Sequence, residues 1–275
     1  MKKKFTWKVL VRHLVLIACA AVILFPFLWM FFASFKEESE VFVEDFHLLP
    51  DTWRFQNYLD AWNAAPFGSF YINSIKAALI SVVCQTCFCS MAAYAFAKIE
   101  FAGKRLLFSL MLAMMILPEE AAIIPNYLLA QKLGLVNTSF GIAMTTLVSV
   151  FNIFLLRQTF MSIPNDLIQS ARLDGCSMLQ VFRHVAVPNA KGSMATVALL
   201  SFLTSWNNYM WPYMVTDQNQ YRTLQIGLKY LIKPDAGPQW PMIMAASTII
   251  LLPVMLLFVF LQKYFVQGML TSGIK

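Results

Sequence analysis

Charged side chains are scarce in this chain. They make up 13% of its 275 residues, while 59% of the residues are hydrophobic; soluble proteins carry roughly 25% charge. A soluble domain of this length has room for a large core, but not for this much apolar surface. The marks of catalysis are missing as well. No G-x-x-x-x-G-K-[ST] phosphate loop occurs, which argues against ATP hydrolysis by this chain. Neither H-E-x-x-H nor G-x-S-x-G is present, so no metal-centred catalyst or activated serine is expected. Histidine is limited to His13, His47 and His184, all remote in sequence from the C-x-x-C-x-C cluster of Cys84, Cys87 and Cys89. Metal binding is the sharper reading of that cluster. Its place inside an apolar run favours small buried apolar residues instead, and no metal site is expected. The first apolar run also lacks a small-residue cleavage motif, so Lys2, Lys3 and Lys4 read as the flank of a retained anchor, not of a removable leader.

What the chain does contain is long apolar runs. About 20 residues of helix cross a hydrocarbon layer of ~30 Å, and six stretches qualify: 14–34, 74–97, 106–130, 139–157, 194–215 and 242–262. The expected fold is therefore all-α, a polytopic membrane protein with six transmembrane helices. The net charge of +7 is not spread evenly enough to suggest nucleic acid. With the N-terminus inside, the inner segments hold Lys2, Lys3, Lys4, Lys8, Arg12, Lys98, Lys104, Arg105, Arg157, Arg172, Arg183, Lys191, Lys263 and Lys275. The outer segment 35–72 instead sets Lys36 and Arg54 against Glu37, Glu38, Glu40, Glu44, Asp45, Asp51 and Asp60. This positive-inside asymmetry reports orientation, with both termini cytoplasmic. Within the outer segment, Trp53, Tyr58 and Trp62 suit a membrane-surface helix.

Several spans carry polar groups. A third span starting at Leu106 reaches Leu117 after only ~18 Å of rise, so it must continue through "PEEAAIIPNYLLA". That places Glu119 and Glu120 in its outer half, with Pro118 and Pro125 disrupting the helix. Carboxylates at such depth line a cavity; at the interface they are simply hydrated, and both readings fit. Ser74, Ser81 and Gln85, then Thr145, Ser149 and Asn152, then Ser201, Ser205 and Asn208 each fall on one helix face. Such faces serve as interhelical glue or line a route for a hydrophilic solute. The stretch "TSWNNYMWPYM" gathers Trp206, Asn207, Asn208, Tyr209 and Trp211. An aromatic belt explains the rings. The paired amides, which both donate and accept, suit sugar hydroxyls.

The polar block "IPNDLIQSARLDGCSMLQVFRHVAVPNAKG", residues 163–192, lies between apolar runs. Pro164 fits the first turn of a helix with Ser162 as its cap. Gly175 supplies the left-handed stop. Ser177 then caps a second helix that Pro188 helps to terminate. Leu167, Ala171, Leu173 and Phe182 offer apolar contacts to a surface beyond the bilayer. Helix connections usually take about 2–8 residues, so a structured block of this length suggests docking.

"SARLDGCSMLQVFRHVAVP" resembles the EAA loop of bacterial ABC-importer membrane subunits. The loop here reads Gln169, Ser170, Ala171, Arg172, Leu173, Asp174, Gly175, with Phe182 on the following helix and Pro188 at its end. With "FQNYLDAW", "NS" at 73–74, "WNNYMWP" and "YFVQGMLTSGIK", the whole chain is similar to the carbohydrate-importer branch, in particular to the six-span type of the maltose transporter's shorter permease. The resemblance implies a type I importer permease fold. Residues 1–69 would form a tail, first helix and outer segment, 70–262 the five-helix transport domain with its coupling loop at 159–192, and 263–275 a cytoplasmic tail. It also implies a second homologous permease, a cytosolic ABC ATPase dimer and an extracytoplasmic solute-binding protein. ATP and Mg would sit on the ATPase and no cofactor on this chain. The implied solute is a sugar or short oligosaccharide, with glycerol 3-phosphate as the alternative and an ATP-independent channel or carrier as a more distant one. The family's glutamate is Gln169 here and Ser170 replaces alanine, so the loop offers a hydrogen bond where a carboxylate usually stands. The candidate pathway residues are Glu119, Glu120, Asn152, Ser205, Trp206, Asn207, Asn208, Tyr209 and Trp211.

Overall fold

The computed structural model describes residues 7–43, 45–233 and 237–272. Expectations placed on Lys2, Lys3, Lys4, Glu44 and Lys275 lie outside the described residues, as do the side chains of Lys8 and Lys263. The chain forms two compact units, Met1–Phe67 with Gly227–Leu252 and Gly68–Ile226 with Pro253–Lys275.

In the first unit, α1 (Trp7–Ala33) has 27 residues, about 40 Å at 1.5 Å per residue. None of its apolar window is buried within the chain. Side chains such as Leu16, Ile17 and Val22 find no cover among the described residues and need apolar surroundings. Beyond α1 the chain folds around the buried Phe35. Its ring centroid lies 5.2 Å from Trp53, 5.1 Å from Phe55 and 5.1 Å from Tyr58. Asn57 of α2 (Gln56–Asn63) donates to the carbonyls of Ser34 and Lys36, both at 2.9 Å. Buried Lys36 in turn donates to the carbonyl of His47. Tyr58 and Trp62 are on α2, whereas Trp53 precedes it, held by Phe35. The three aromatics thus do not share one helix. Antiparallel β1 (Ile232–Lys233) and β2 (Gly237–Pro238) add a two-residue pair to an otherwise helical chain.

The second unit carries α3 (Phe67–Cys84) through a π turn at Gln85–Cys89 into α4 (Ser90–Lys98). Next come α5 (Lys104–Ala113), α6 (Ile123–Lys132), α7 (Ser139–Ala143) and α8 (Val150–Ser162). Then follow α9 (Asn165–Leu173), α10 (Met178–Val181), α11 (Val187–Asn189), α12 (Lys191–Trp206) and α13 (Met210–Val215). The chain ends through α14 (Leu224–Gly227) and α15 (Trp240–Ser272).

Among the described residues, Val9–Ala33, Phe67–Lys98 and Trp240–Phe260 are long and apolar enough to cross a membrane. Lys104–Ile116 with Glu119–Lys132, bent by 97°, and Ser139–Thr146 with Val150–Ser162, bent by 57°, bring the number to five if each pair is one span. The run at 194–215 is not one helix. Its first part, α12, has 16 residues, about 24 Å, and the chain leaves helical form at Asn207–Tyr209 before α13. There the Asn208 side-chain oxygen accepts from the Trp211 N–H at 3.4 Å; asparagine competes with helical hydrogen bonding in this way. The third run breaks at Leu117–Pro118. Pro125 does not disturb it: the residue falls in the first turn of α6, where a missing N–H has no consequence.

Candidate functional site

The polar block folds into a corner fixed by its own backbone. Helix α9 ends with Asp174 as cap and Gly175 at φ +84°. The Gly175 N–H bonds the carbonyl of Arg172 at 3.0 Å, and the Cys176 N–H reaches back to Ala171, also at 3.0 Å. This paired closure is a Schellman stop. Two residues later Ser177 opens α10 with a capping box. Its Oγ accepts from the Gln180 N–H at 3.4 Å, and its own N–H donates to Gln180 Oε1 at 2.7 Å.

The entry to the corner differs from expectation. Ser162 is the last residue of α8 and donates to the Thr159 carbonyl at 2.7 Å, so it caps nothing. Pro164 itself is the N-cap of α9, with ψ 136°. The reason is steric. A residue before proline is driven out of the α region, and Ile163 at ψ 126° complies, so helix starts afresh at Asn165. At the far side a π turn, Phe182–Ala186, carries the path into α11, which ends at Asn189, one residue past Pro188.

The corner is built into the bundle. Ile168 of α9, Val181 of α10, Ala186 and Ala190 share a core with Ala93 and Tyr94 of α4 and with Leu156 and Phe160 of α8. Phe182 packs on Tyr94 with ring centroids 5.2 Å apart. Lys98, at the end of α4, donates to the Ile163 carbonyl at 2.6 Å and to Asn165 Oδ1 at 2.8 Å. Ala171 and Phe182 are half-buried against this core, and Phe182 also lines an apolar cleft with Met178 and Leu179. The outward apolar surface consists of Leu167, Leu173, Met178 and Leu179, with Leu173 89% exposed. Gln169, Asp174 and Pro188 are exposed, and Ser170 turns its hydroxyl to the Asp166 carbonyl at 2.7 Å.

A second candidate lies at the break in the third run. Glu119, Glu120, Asn126, Thr145, Asn208 and Trp211 line a cavity of about 420 Å³. It collects residues from α6, the turn before it, the bent fourth run and α13. The carboxylates are exposed. Trp211 is anchored at the rim: it is 4% exposed and its Nε1–H donates to the Gly141 carbonyl at 2.9 Å. Gly141 has no room for more, since a Cβ there would lie 2.0 Å from the Leu135 carbonyl oxygen. Asn126 is the residue that sequence reading missed. It follows Glu119 by seven positions, a spacing hidden by Pro125 between them and by the break at Pro118.

The other candidates go elsewhere. Asn152 is 3% exposed and donates to Gln85 Oε1 at 2.5 Å and to Ser201 Oγ at 3.3 Å. Gln85 donates to the Thr146 carbonyl at 2.6 Å, and Ser81 and Thr146 hydroxyls meet at 2.6 Å. Of the stripe residues, Ser81, Gln85, Asn152 and Ser201 are thus interhelical glue, which leaves Asn152 no face toward a cavity. Trp206 is 2% exposed, stacked on Phe202 at 5.2 Å and crossed by Tyr71 at 5.8 Å; it is packing. Tyr209 is exposed and stacks on Tyr213 at 5.7 Å. Asn207 is exposed and Ser205 half-buried, and neither lines the cavity. Among the cysteines Cys89 is buried against the Ser149 backbone, but Cys87 is exposed. The described residues contain no cluster of His, Cys, Asp or Glu able to hold a metal.

Long lipid-compatible helices, a broken span with a polar cavity and a helical corner welded to the bundle define a polytopic membrane permease. Residues 85–271 match the model of the family described as binding-protein-dependent transport system inner membrane component. The chain belongs to that family, the ABC-importer permeases, in its carbohydrate-importer branch. It is 32% identical to the arabinooligosaccharides transport system permease protein AraQ of Halalkalibacterium halodurans, over 93% of this chain and 92% of that one. It is 32% identical to the diacetylchitobiose uptake system permease protein NgcG of Streptomyces coelicolor, over 96% and 87%. The sn-glycerol-3-phosphate transport system permease protein UgpE of Yersinia pestis is 30% identical over 94% and 95%. A chain in the crystal structure of a bacterial ABC transporter involved in import of the acidic polysaccharide alginate superposes with a TM-score of 0.81 at 28% identity, covering 93% and 95%. The protein is thus a non-catalytic, multi-pass component of the inner membrane that works with a binding protein and an ATPase.

Proposed function

We propose that this permease carries a neutral sugar or short oligosaccharide, paired with a second homologous permease, a cytosolic ATPase dimer that holds ATP and Mg, and an extracytoplasmic binding protein. It crosses the membrane six times, α12 with α13 forming the remaining crossing, and keeps both termini in the cytoplasm. The exposed strip of Leu167, Leu173, Met178 and Leu179, with the exposed Gln169 and Asp174, docks on the ATPase. Closure of the ATPase dimer draws the corner inward, and the core it shares with α4 and α8 carries that movement into the spans. The cavity then opens toward the binding protein by alternating access.

One observation carries the choice of solute: the lining of the 420 Å³ cavity. Glu119 and Glu120 supply acceptors, and Asn126 and Asn208 supply amides that both donate and accept, which suits hydroxyl groups. No lysine or arginine is among the lining residues, and Lys76 is on α3, outside the lining. A phosphate dianion selects arginine or lysine and is repelled by two carboxylates. The named solutes of AraQ and NgcG, an arabinooligosaccharide and diacetylchitobiose, support the same direction; that of UgpE supports the phosphate alternative.

The test is uptake of labelled oligosaccharides by the complete importer. Glu119→Gln and Asn208→Ala are each expected to raise the apparent KM about tenfold, the weight of one hydrogen bond to a charged or polar group. Unchanged kinetics in both, with glycerol 3-phosphate taken up instead, overturns the sugar reading.

A further inference from the structure

We propose that the cleft at the corner-bearing end of the larger unit binds one anionic phospholipid. Its phosphate diester lies against the first turn of α5, and its acyl chains follow the apolar side chains beside that turn. The cleft has a volume of about 790 Å³ and is walled by the end of α4, the connection to α5, α5 itself and Arg157 of α8. It belongs to the same end of the bundle as the corner, because Lys98 of α4 bonds Ile163 and Asn165 while Arg157 Nε donates to the Phe96 carbonyl at 3.1 Å.

Three cations converge on the cleft, Lys104, Arg105 and Arg157. Two of them stand in the first turn of α5, at the positive end of a helix, where anions are stabilising and cations are not. No acidic residue occupies that turn, and its N-cap, Gly103, has no side chain to satisfy the free N–H groups. Glu100 answers only Lys104, at 2.9 Å. Arg105 is exposed, with no hydrogen bond or ion pair among the described residues. Arg157 spends one N–H on Phe96 and lies over the Phe108 ring at 4.1 Å, which fixes its plane and leaves its terminal N–H groups for a ligand. A phosphate diester there answers the guanidinium groups and the helix terminus together.

The apolar half of the cleft decides between a lipid and a free anion. Phe101 and Leu106 are 38% and 65% exposed beside the cations, and Leu107 and Leu110 continue the apolar surface along α5. Inorganic phosphate leaves that surface bare; acyl chains cover it. The inference rests on the proposed orientation only for naming the cytoplasmic leaflet as the source.

The experiment uses the intact importer purified in detergent and exposed to phosphatidylglycerol or phosphatidylcholine, with retained lipid counted by native mass spectrometry. The expected result is retention of phosphatidylglycerol about fivefold above phosphatidylcholine. Arg105→Ala removes most of that preference and Arg105→Lys keeps it, in line with the weight of one cation at a lipid headgroup. Equimolar inorganic phosphate leaves the retained lipid in place. An unchanged preference in Arg105→Ala, or displacement of the lipid by phosphate, overturns the proposal. Thermal melting in phosphatidylcholine, unchanged by either substitution of this exposed residue, separates lost binding from lost folding. Binding in detergent does not depend on which face is cytosolic, so a lost preference leaves the importer reading intact, and a wrong orientation leaves the lipid result intact.

Discussion

At the scale of single residues, Gly175 is the position where backbone geometry bears on the proposed coupling. Its φ of +84° lies in the left-handed region, and a Cβ there would touch nothing within 4 Å. Space is therefore not the constraint; the backbone is. A β-branched residue forced into this conformation costs roughly 1–3 kcal/mol, and Gly175→Val relieves that strain by opening the corner. Membrane insertion is expected to be normal and solute-stimulated ATPase activity of the reconstituted complex to fall several-fold. Full stimulation in this variant would show that the corner angle is not transmitted. The glycine and Ser177 were both readable in the sequence, because caps and left-handed stops are local chemistry. Ser162 and Pro164 take other places than expected: the cap is Pro164 itself, two residues past Ser162. A serine before a proline has the look of a cap, but the steric demand of Pro164 on Ile163 shifted the helix start to Asn165. The tight contact at Gly141 had no local signature, since Leu135 meets it only through the turn between α6 and α7.

At the scale of elements, periodicity told which residues share a face but not which faces meet. The stripes of α3, the fourth run and α12 were all legible, yet two purposes fitted them. Burial decides. Gln85, held in the π turn, bonds Thr146, Asn152 and Ser201, partners 61, 67 and 116 positions away. The register differs by one residue from the expected face, with Thr146 in the network and neighbouring Thr145 in the cavity. Helical spacing cannot foresee this, because the 57° bend between α7 and α8 resets the phase. Gln85→Leu takes one hydrogen bond from each of three polar partners, and a loss of about 1–2 kcal/mol in stability is expected. Gln85→Leu combined with Asn152→Leu should cost less than the sum of the two single changes, as groups of one network do. Thermal or denaturant unfolding of the four proteins in the cycle measures this, and strict additivity would mean that the network contributes nothing as a unit. Pro118 announced the break in the third run. The 97° turn and the gathering of Glu119 and Glu120 with Asn208 could not be read from it, because they depend on how distant segments pack.

At the scale of the whole molecule, composition and charge asymmetry sufficed to read a membrane protein, and the order of landmarks sufficed to read its family. The number of crossings was less legible. Hydropathy counts apolar residues and is blind to a chain that leaves the helix at Asn207–Tyr209. The importer reading makes one demand at this scale. A photoreactive or cysteine-directed crosslinker placed at exposed Asp174 should capture the ATPase in native membranes, with yield that changes on addition of nucleotide. Capture of lipid or of nothing, under conditions where a site on α1 labels normally, would remove the docking role of the corner.

The core common to Ile168, Val181, Ala93 and Leu156 sets the stiffness of that linkage. A hinge would give the motor free play, so that part of each stroke would be lost before the spans felt it. In the proposed coupling, the lever and the beam it drives share this one core. If the corner docks as proposed, the engine beneath it times the gate, and any softening of this seam should appear as fuel burnt without cargo moved.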